Sequence, residues 1–384
     1  MKRIAALLLL VALVFSAAAC GNEDEVIGGV PIMDPEEMMP EEMPDIPYTL
    51  EAKLVGIALP ARDIERWSRD GAELLAQFQS KDYIVKLCFD GEGEIATQES
   101  QIRDMINNGC KLLLIAATDE AALENVLDYA QAEGVLVVAY DRPINHAGTD
   151  YYLSFSGHEI GRIQADYIHN ALNLENAAGP FAIEIFAGDI SDRNTAALYA
   201  AAMEVLAPHI ESGKLIVPSG KTELIDVTTS GWSEEAAYKR MQKLLQSEAY
   251  LQYGSTYAAV LCANDSIARG VIRALKEVFG EENGFPVVVT GQDCEIAAVQ
   301  AMIAGYQGMS VFKDTRLLAA QAVKTADALF LGELPEMNNA YIVEGSENAV
   351  PAFYCTPVLV TKENHESVLL HSSYYTEQDL AAGE

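Results

Sequence analysis

The chain has 384 residues and a formal charge of −32 at pH 7, from 57 acidic against 25 basic side chains. This length exceeds what one hydrophobic core usually serves, and 50% of the residues are apolar, so two domains are expected. The acidic excess repels phosphate backbones, which excludes nucleic acid as a partner.

The first twenty residues have the pattern of a secretion signal. Lys2 and Arg3 precede an uninterrupted apolar run over residues 4–15, and Ser-Ala-Ala-Ala-Cys follows at residues 16–20. The run is shorter than the roughly 20 residues that a membrane span needs, so it indicates a signal peptide. Its end resembles a bacterial lipobox, in which the cysteine, here Cys20, is lipidated; an ordinary signal peptide cut near Ala19 is the alternative. Either interpretation takes the protein out of the cytoplasm.

Residues 21–51 contain ten acidic and no basic residues, with several Pro and Met. This composition lacks the apolar periodicity of a packed core and predicts a disordered acidic tether. The remaining cysteines show neither metal-ligand spacing nor the pattern of a disulfide framework, so no metal site is expected. They are Cys88, Cys110, Cys262, Cys294 and Cys355.

Strand-like and helical stretches alternate along the rest of the chain. Four apolar runs at 53–60, 83–89, 111–116 and 135–140 are separated by helical patterns at about 65–79, 95–108 and 120–132. The alternation restarts with strands at 151–155, 181–186, 214–218, 257–262, 286–291 and 309–312, and with helices at about 157–172, 193–207, 233–246, 265–279, 294–304 and 315–331. Such alternation predicts an α/β protein with two doubly wound parallel-sheet lobes. A tail with a strand-like stretch at 352–361 is expected to pack back across them.

Polar side chains follow the predicted strands. Asp141 and Arg142 come directly after the buried run at 135–140, and acids, bases and amides follow most other strands. In open α/β sheets the ligand crevice lies beyond the carboxyl ends of the strands, so these groups are expected to converge. Trp67 and Trp232 sit in turns, where an aromatic face can pack against a sugar ring. The pattern favours hydrogen bonding to hydroxyl groups.

Seven short motifs in this order resemble the periplasmic sugar-binding proteins of the type I fold, in the xylose-binding and multiple-sugar-binding branch. They are Glu65-Arg66-Trp67, Ala139-Tyr140-Asp141-Arg142, Asp192-Arg193-Asn194, Gly231-Trp232, Ala263-Asn264-Asp265, Gly291-Gln292-Asp293 and Lys313-Asp314-Thr315. The resemblance implies a cleft between two lobes lined by Arg66, Trp67, Asp141, Arg142, Asp192, Asn194, Trp232, Asn264, Asp293 and Lys313.

The resemblance also implies a hinge of three crossings, after Asp141-Arg142, near Lys313 and within 332–348. The N-terminal lobe would then comprise 52–142 and 313–335, and the C-terminal lobe 143–312 and about 336–384.

The implied function is capture of a monosaccharide, an aldopentose or aldohexose, and its delivery to an ABC transporter permease. The protein would act as a monomer held at the membrane by a lipid anchor, without cofactor or catalysis. A sensor that presents the sugar to a chemoreceptor or membrane kinase remains open. A carbohydrate-active enzyme is the alternative of another class, since paired acids at strand ends are also found in glycosidases, but such carboxylates are better suited here to accepting hydrogen bonds from hydroxyl groups. Dinucleotide binding is disfavoured, because the GxGxxA match at 91–96 carries two glutamates that oppose a pyrophosphate. A DNA-binding regulator of the LacI kind would need a basic N-terminal helix-turn-helix instead of a signal peptide.

Overall fold

A computed structural model describes residues 53–381 apart from 61, 63, 91–94, 120, 253–256, 281–283 and 343–348. Upstream it describes only a short antiparallel pair, Val26–Ile27 with Val30–Pro31. The predicted signal peptide, Cys20 and the rest of the predicted tether lie outside the described residues. Within the described part, no helix combines the length and the apolar character that crossing a membrane requires.

The secondary structure follows the predicted alternation closely. The chain first forms β1 (Leu54–Leu59), α1 (Glu65–Gln79), β2 (Ile84–Phe89), α2 (Ile95–Asn107), β3 (Leu112–Ile115), α3 (Glu124–Ala132), β4 (Leu136–Tyr140) and β5 (Tyr151–Phe155). It continues with α4 (Gly157–Ala171), β6 (Phe181–Phe186), α5 (Arg193–Glu211), β7 (Leu215–Ile216), α6 (Leu224–Val227), α7 (Glu234–Leu245), α8 (Glu248–Gln252), β8 (Ala259–Cys262), α9 (Asp265–Phe279), β9 (Val288–Val289), α10 (Ile296–Ala304) and β10 (Met309–Phe312). It ends with α11 (Thr315–Phe330), β11 (Asn339–Ile342), β12 (Ala349–Cys355), β13 (Val358–Thr361) and α12 (Glu377–Ala381).

The described strands form two main sheets. One has the order β11-β12-β5-β4-β3-β1-β2, in which every pairing except β11 with β12 is parallel. The other has the order β9-β8-β6-β7 and is parallel throughout. A parallel bridge between Gln292 and Val311 connects this second sheet to β10. The strand β10 also pairs antiparallel with β13. The expected α/β architecture of two parallel-sheet lobes is confirmed.

Each sheet is covered by helices on both faces. In β3, Leu112 and Leu114 face the core that α1 and α11 complete, whereas Leu113 and Ile115 face the core under α2 and α3. All four residues are buried because alternate side chains point to opposite, covered faces. The second sheet is sandwiched in the same way, with α7 and α9 on one face and α4 and α5 on the other.

The described chain passes between the lobes three times, at Ser156, at Lys313-Asp314 and at Thr356-Pro357. Lys313 lies at the expected second crossing, but the expected first and third crossings are wrong. The first lobe therefore takes β1 to β5, α11, β11 and β12, and the second takes α4 to β10 and the segment from β13 onward.

The strand Tyr151–Phe155 causes the first difference. It was expected to open the C-terminal lobe, yet it pairs with β4, where Ala139 lies opposite Tyr152, and with β12, where Cys355 lies opposite Phe155. The polar stretch after Pro143 is a loop that returns the chain to its own sheet. The third crossing moves for the same reason, since β11 and β12 extend this sheet and break the predicted strand 352–361 at Pro357.

Candidate functional site

A cleft of about 940 Å³ lies between the two lobes, at the carboxyl ends of their parallel strands. Both lobes and the second crossing contribute to its walls. All ten residues expected at the site line it: Arg66, Trp67, Asp141, Arg142, Asp192, Asn194, Trp232, Asn264, Asp293 and Lys313.

Charged groups of alternating sign run through the centre of the cleft. Arg66 Nη2 donates to Asp141 Oδ1 at 2.5 Å, and Lys313 Nζ lies 3.8 Å from the same oxygen. Lys313 Nζ also lies 2.9 Å from Asp293 Oδ1, on the second lobe. These four side chains are no more than 7% exposed. The row thus connects the first lobe, the second crossing and the second lobe.

The backbone at Asp141 has an unusual conformation, with φ of 61°. Its carbonyl oxygen accepts hydrogen bonds from the Tyr152 hydroxyl at 2.9 Å, the Ser154 hydroxyl at 2.8 Å and Asn194 Nδ2 at 3.0 Å. A left-handed conformation at a residue with a side chain persists only where its surroundings hold it, and it is typical of functional sites. Here three donors hold the turn that directs the carboxylate into the cleft.

Neighbouring charges decide the ionisation of Asp141. Burial alone would raise the pKa of its carboxyl, but Arg66 and Lys313 outweigh burial and lower the pKa to about 2. Asp141 is therefore an anion at any physiological pH. An ionised carboxylate accepts short hydrogen bonds from hydroxyl groups, and bonds to charged groups are stronger than neutral ones.

A second ion pair joins the two lobes across the cleft. Arg142 Nε lies 3.2 Å from Asp192 Oδ2, so a residue of the first lobe meets one of the second. Burial raises the pKa of Asp192, and Arg142 opposes this effect. Asp192 also caps α5, because its Oδ1 accepts from Asn194 N at 2.9 Å.

Asn264 likewise has a structural role besides its place in the cleft. Its Oδ1 accepts from Ile267 N at 3.0 Å and caps α9. This hydrogen bond leaves the amide Nδ2 as the donor that can reach a ligand. Asp192 and Asn264 are thus held in fixed rotamers by the helices that begin beside them.

The two tryptophans differ in their surroundings. Trp67 is only 3% exposed and packs in the first-lobe core, with the guanidinium groups of Arg66 and Arg142 at 4.7 and 5.3 Å from its ring. Trp232 is half-buried on the second lobe, and its ring covers Gly188, where a Cβ would lie 2.2 Å from Cη2. The ring of Trp67 therefore packs against the guanidinium groups of two arginines, whereas Trp232 presents more of its ring to the cleft.

Several residues that shape the cleft were not among the expected site residues. Asp189 stabilises the turn before Trp232, because its carboxylate accepts hydrogen bonds from Ser191 and from Gly231 N. Ser154 and Tyr152 hold Asp141, and they were missed because their strand was expected in the other lobe. Asp70 binds Arg66 from below, and its i, i+4 spacing on a predicted helix is a signal that could have identified it.

The described residues contain no group of three or more side chains suited to holding a metal ion. The five cysteines from Cys88 to Cys355 are free thiols. The glycine-rich stretch 91–94 lies outside the described residues. The polar groups that line the cleft are carboxylates, which accept hydrogen bonds, guanidinium groups and an ammonium group, which donate them, and amides, which do both.

Comparison with known proteins agrees with this architecture. The family model of the periplasmic binding protein domain matches residues 55–334. The multiple sugar-binding periplasmic receptor ChvE of Rhizobium radiobacter is 40% identical over 336 residues, which cover 87% of this chain and 94% of that protein. The D-xylose-binding periplasmic protein of Escherichia coli (strain K12) is 30% identical over 326 residues, or 85% of this chain and 92% of that protein.

A solved structure gives the same result. The crystal structure of an ABC transporter solute binding protein from Clostridium phytofermentans, with bound β-D-glucose, has a TM-score of 0.81 and 43% sequence identity, and the match covers 85% of this chain and 100% of that one. Both the sequence and the two-lobed fold therefore match along nearly the whole described body. The chain belongs to the periplasmic binding protein family, a family of non-enzymatic binding proteins, and is similar throughout to its sugar-binding members.

Proposed function

We propose that the protein captures a monosaccharide, an aldopentose or aldohexose, in the interlobe cleft and delivers it to an ABC importer. The observation that carries this proposal is the row Arg66–Asp141–Lys313–Asp293, which joins both lobes in one buried cleft. Carboxylates accept and cations donate, so the row can satisfy several hydroxyl groups of one sugar ring at once. A relative of 43% identity holds β-D-glucose, and others are named for D-xylose or multiple sugars.

Closure of the lobes would couple binding to delivery. Asp141 and Arg142 belong to the first lobe, and Asp192, Asn194 and Asp293 belong to the second. A ligand held between them would contact both lobes in the closed form. Ligand binding then shifts the population toward the closed form. A micromolar affinity corresponds to about 8 kcal/mol, which a few charge-assisted hydrogen bonds and one covered aromatic face can supply beyond the ordering cost.

A ligand screen tests the proposal directly. We expect the protein without residues 1–20 to gain thermal stability with an aldopentose or aldohexose, because a ligand that binds only the folded state raises the melting temperature. The screen should include amino acids and nucleosides as controls. A strong shift with one of these controls and none with any sugar would refute the proposed ligand class.

A substitution of Trp232 tests whether its aromatic ring covers one face of the bound sugar. Replacing it with Ala is expected to weaken sugar binding by more than about tenfold, or about 1.4 kcal/mol, because the ring face no longer covers the sugar. The fold should be retained, since Trp232 is half-buried. Isothermal titration calorimetry measures the affinity, and a denaturant melt measures stability.

Trp67 is the matched comparison, because it is the other tryptophan of the chain. Trp67→Ala empties a position that is 3% exposed and is expected to cost about 3–5 kcal/mol of folding free energy. Unchanged affinity in the Trp232 variant would remove that residue from the site.

The proposed location is the outer face of the cell membrane, with Cys20 as the lipid-bearing residue. Cys20 lies outside the described residues, and the support for this assignment is the Ala-Ala-Ala-Cys sequence that ends the apolar run. The variant Cys20→Ser is expected to move from the detergent phase to the aqueous phase in a phase-partitioning assay of whole cells, because the acyl chains are lost. Cys88→Ser is the control and should partition like the wild type. Equal partitioning of all three proteins would argue against lipidation.

A further inference from the structure

Asp70 lies beneath the cleft, one helical turn after Arg66 on α1, and is 0% exposed. Its two oxygens have different donors, since Arg66 Nε donates to Oδ2 at 3.0 Å and the Tyr140 hydroxyl donates to Oδ1 at 2.6 Å. Asp70 is not among the residues that line the cleft. Any effect of this carboxylate on a ligand therefore passes through its two partners.

A carboxylate at a fully buried position is costly unless it is paired, and Asp70 is paired with Arg66 and Tyr140. The carboxylate of Asp70 fixes the orientation of the Arg66 side chain. It binds the Nε side of the Arg66 guanidinium, while Asp141 binds Nη2, so two carboxylates fix the plane of the fork. The guanidinium has five N–H groups, and these two bonds leave the others for further acceptors.

Asp70 also ties together the two segments that carry the first-lobe site residues. Arg66 and Trp67 lie on α1, whereas Tyr140 ends β4 and directly precedes Asp141 and Arg142. The hydrogen bond from Tyr140 and the ion pair with Arg66 thus join the helix to the strand end at one carboxyl group.

We propose that Asp70 is a positioning residue of the sugar site, which holds the Arg66 guanidinium in the orientation that Asp141 and the ligand require. This inference rests on the proposed function. It assigns a functional role to a group that never touches the sugar.

The surroundings of Asp70 provide a readout that a purely structural role would not give. The titratable and charged groups around it are Arg66 from α1, Tyr140 and Asp141 from the end of β4, Lys313 from the second crossing and Tyr374 from the C-terminal segment. Burial raises the pKa of Asp70 to about 6, although Arg66 and the Tyr140 hydrogen bond act to lower it. Protonation between pH 7.5 and pH 5 removes the charge that holds Arg66, so affinity is expected to fall as the pH falls.

The experiment measures the dissociation constants of D-glucose and D-xylose by calorimetry between pH 5 and pH 8. For the wild type we expect about tenfold weaker binding at pH 5 than at pH 7.5. The variant Asp70→Asn should bind about tenfold more weakly than the wild type at pH 7.5, and its affinity should not change over this range.

Two further variants separate positioning from a general effect of charge. Asp150→Asn is the matched control, because burial also raises the pKa of Asp150 to about 6, but its Oδ2 accepts from Val137 N near the other end of β4. It should keep the affinity and the pH profile of the wild type. Tyr140→Phe keeps all charges and removes one hydrogen bond that lowers the Asp70 pKa, so the midpoint of the profile should move to higher pH.

Wild-type affinity and pH profile in Asp70→Asn would overturn the inference, as would loss of the profile in Asp150→Asn. If Asp70→Asn does not fold, the Tyr140→Phe midpoint decides, and an unmoved midpoint overturns the inference. A wild type that binds no aldopentose or aldohexose of the ligand screen at any pH would instead count against the proposed function.

Discussion

Replacing Asp141 with Asn is expected to weaken monosaccharide binding by about 100-fold or more. The carboxylate contacts both Arg66 and Lys313, so its loss removes a strong acceptor and also disturbs the two cations that should donate to the sugar. Two hydrogen bonds to a charged group, each about 1.5–3 kcal/mol, account for an effect of this size. Calorimetric titration with the best sugar of the ligand screen measures it.

The same variant should lose stability in a pH-dependent way. The pKa of Asp141 is lowered from 3.8 to about 2 in the folded protein, so its ionised form contributes about 2 kcal/mol above the unfolded pKa. This contribution is lost as the pH falls through about 4 toward 2. The part of the difference in unfolding free energy that comes from this ionisation should therefore be largest near neutral pH, fall between about pH 4 and pH 2, and disappear below about pH 2.

Asp166→Asn is the control for this experiment. It makes the same chemical change on α4, where the side chain is 47% exposed and has Arg162 as a distant partner at 4.0 Å. Its affinity and stability should match those of the wild type. If Asp141→Asn also keeps wild-type affinity, the central place of Asp141 in the proposed site is wrong.

Replacing Lys313 with Met is expected to weaken binding by about 30-fold or more and to hinder closure of the cleft. Lys313 lies at the second crossing, between Asp141 of the first lobe and Asp293 of the second. Without the ammonium group, the buried carboxylate of Asp293 loses its ion-pair partner, and Asp141 keeps only Arg66. The two carboxylates then repel each other with no cation between them, which is unfavourable in a site of low dielectric constant. The repulsion acts directly against approach of the lobes.

Small-angle X-ray scattering distinguishes this effect from a simple loss of contact. The wild type should become more compact at saturating sugar, whereas the Lys313 variant at saturating sugar should keep a radius of gyration closer to the sugar-free value. Lys324→Met makes the same change at an exposed position of α11 and should behave like the wild type. Equal compaction and equal affinity in the Lys313 variant would contradict the role given to this residue.

The sequence by itself determined the two-lobed architecture, and it predicted residues that line the cleft. Alternating apolar runs and helical patterns predicted two parallel sheets, and the carboxyl ends of parallel strands lie at one edge. Reading the residues just past each strand therefore led to Asp141, Asp293 and Lys313, and all ten expected site residues line the cleft. This worked because position along a parallel strand fixes the edge at which a residue lies.

Only the tertiary structure decided which sheet each strand joins and what each side chain contacts. The strand Tyr151–Phe155 is buried on both faces, and such a strand has the same pattern in either lobe, so its pairing with β4 and β12 could not be deduced. Similar sequence contexts likewise gave no sign that Trp67 packs in a core while Trp232 faces the cleft. Asp70 acquires its importance from Tyr140, which is 70 residues away in the chain and 2.6 Å away in the fold. Contacts of that kind depend on the packing of elements distant in sequence, and no local pattern encodes them.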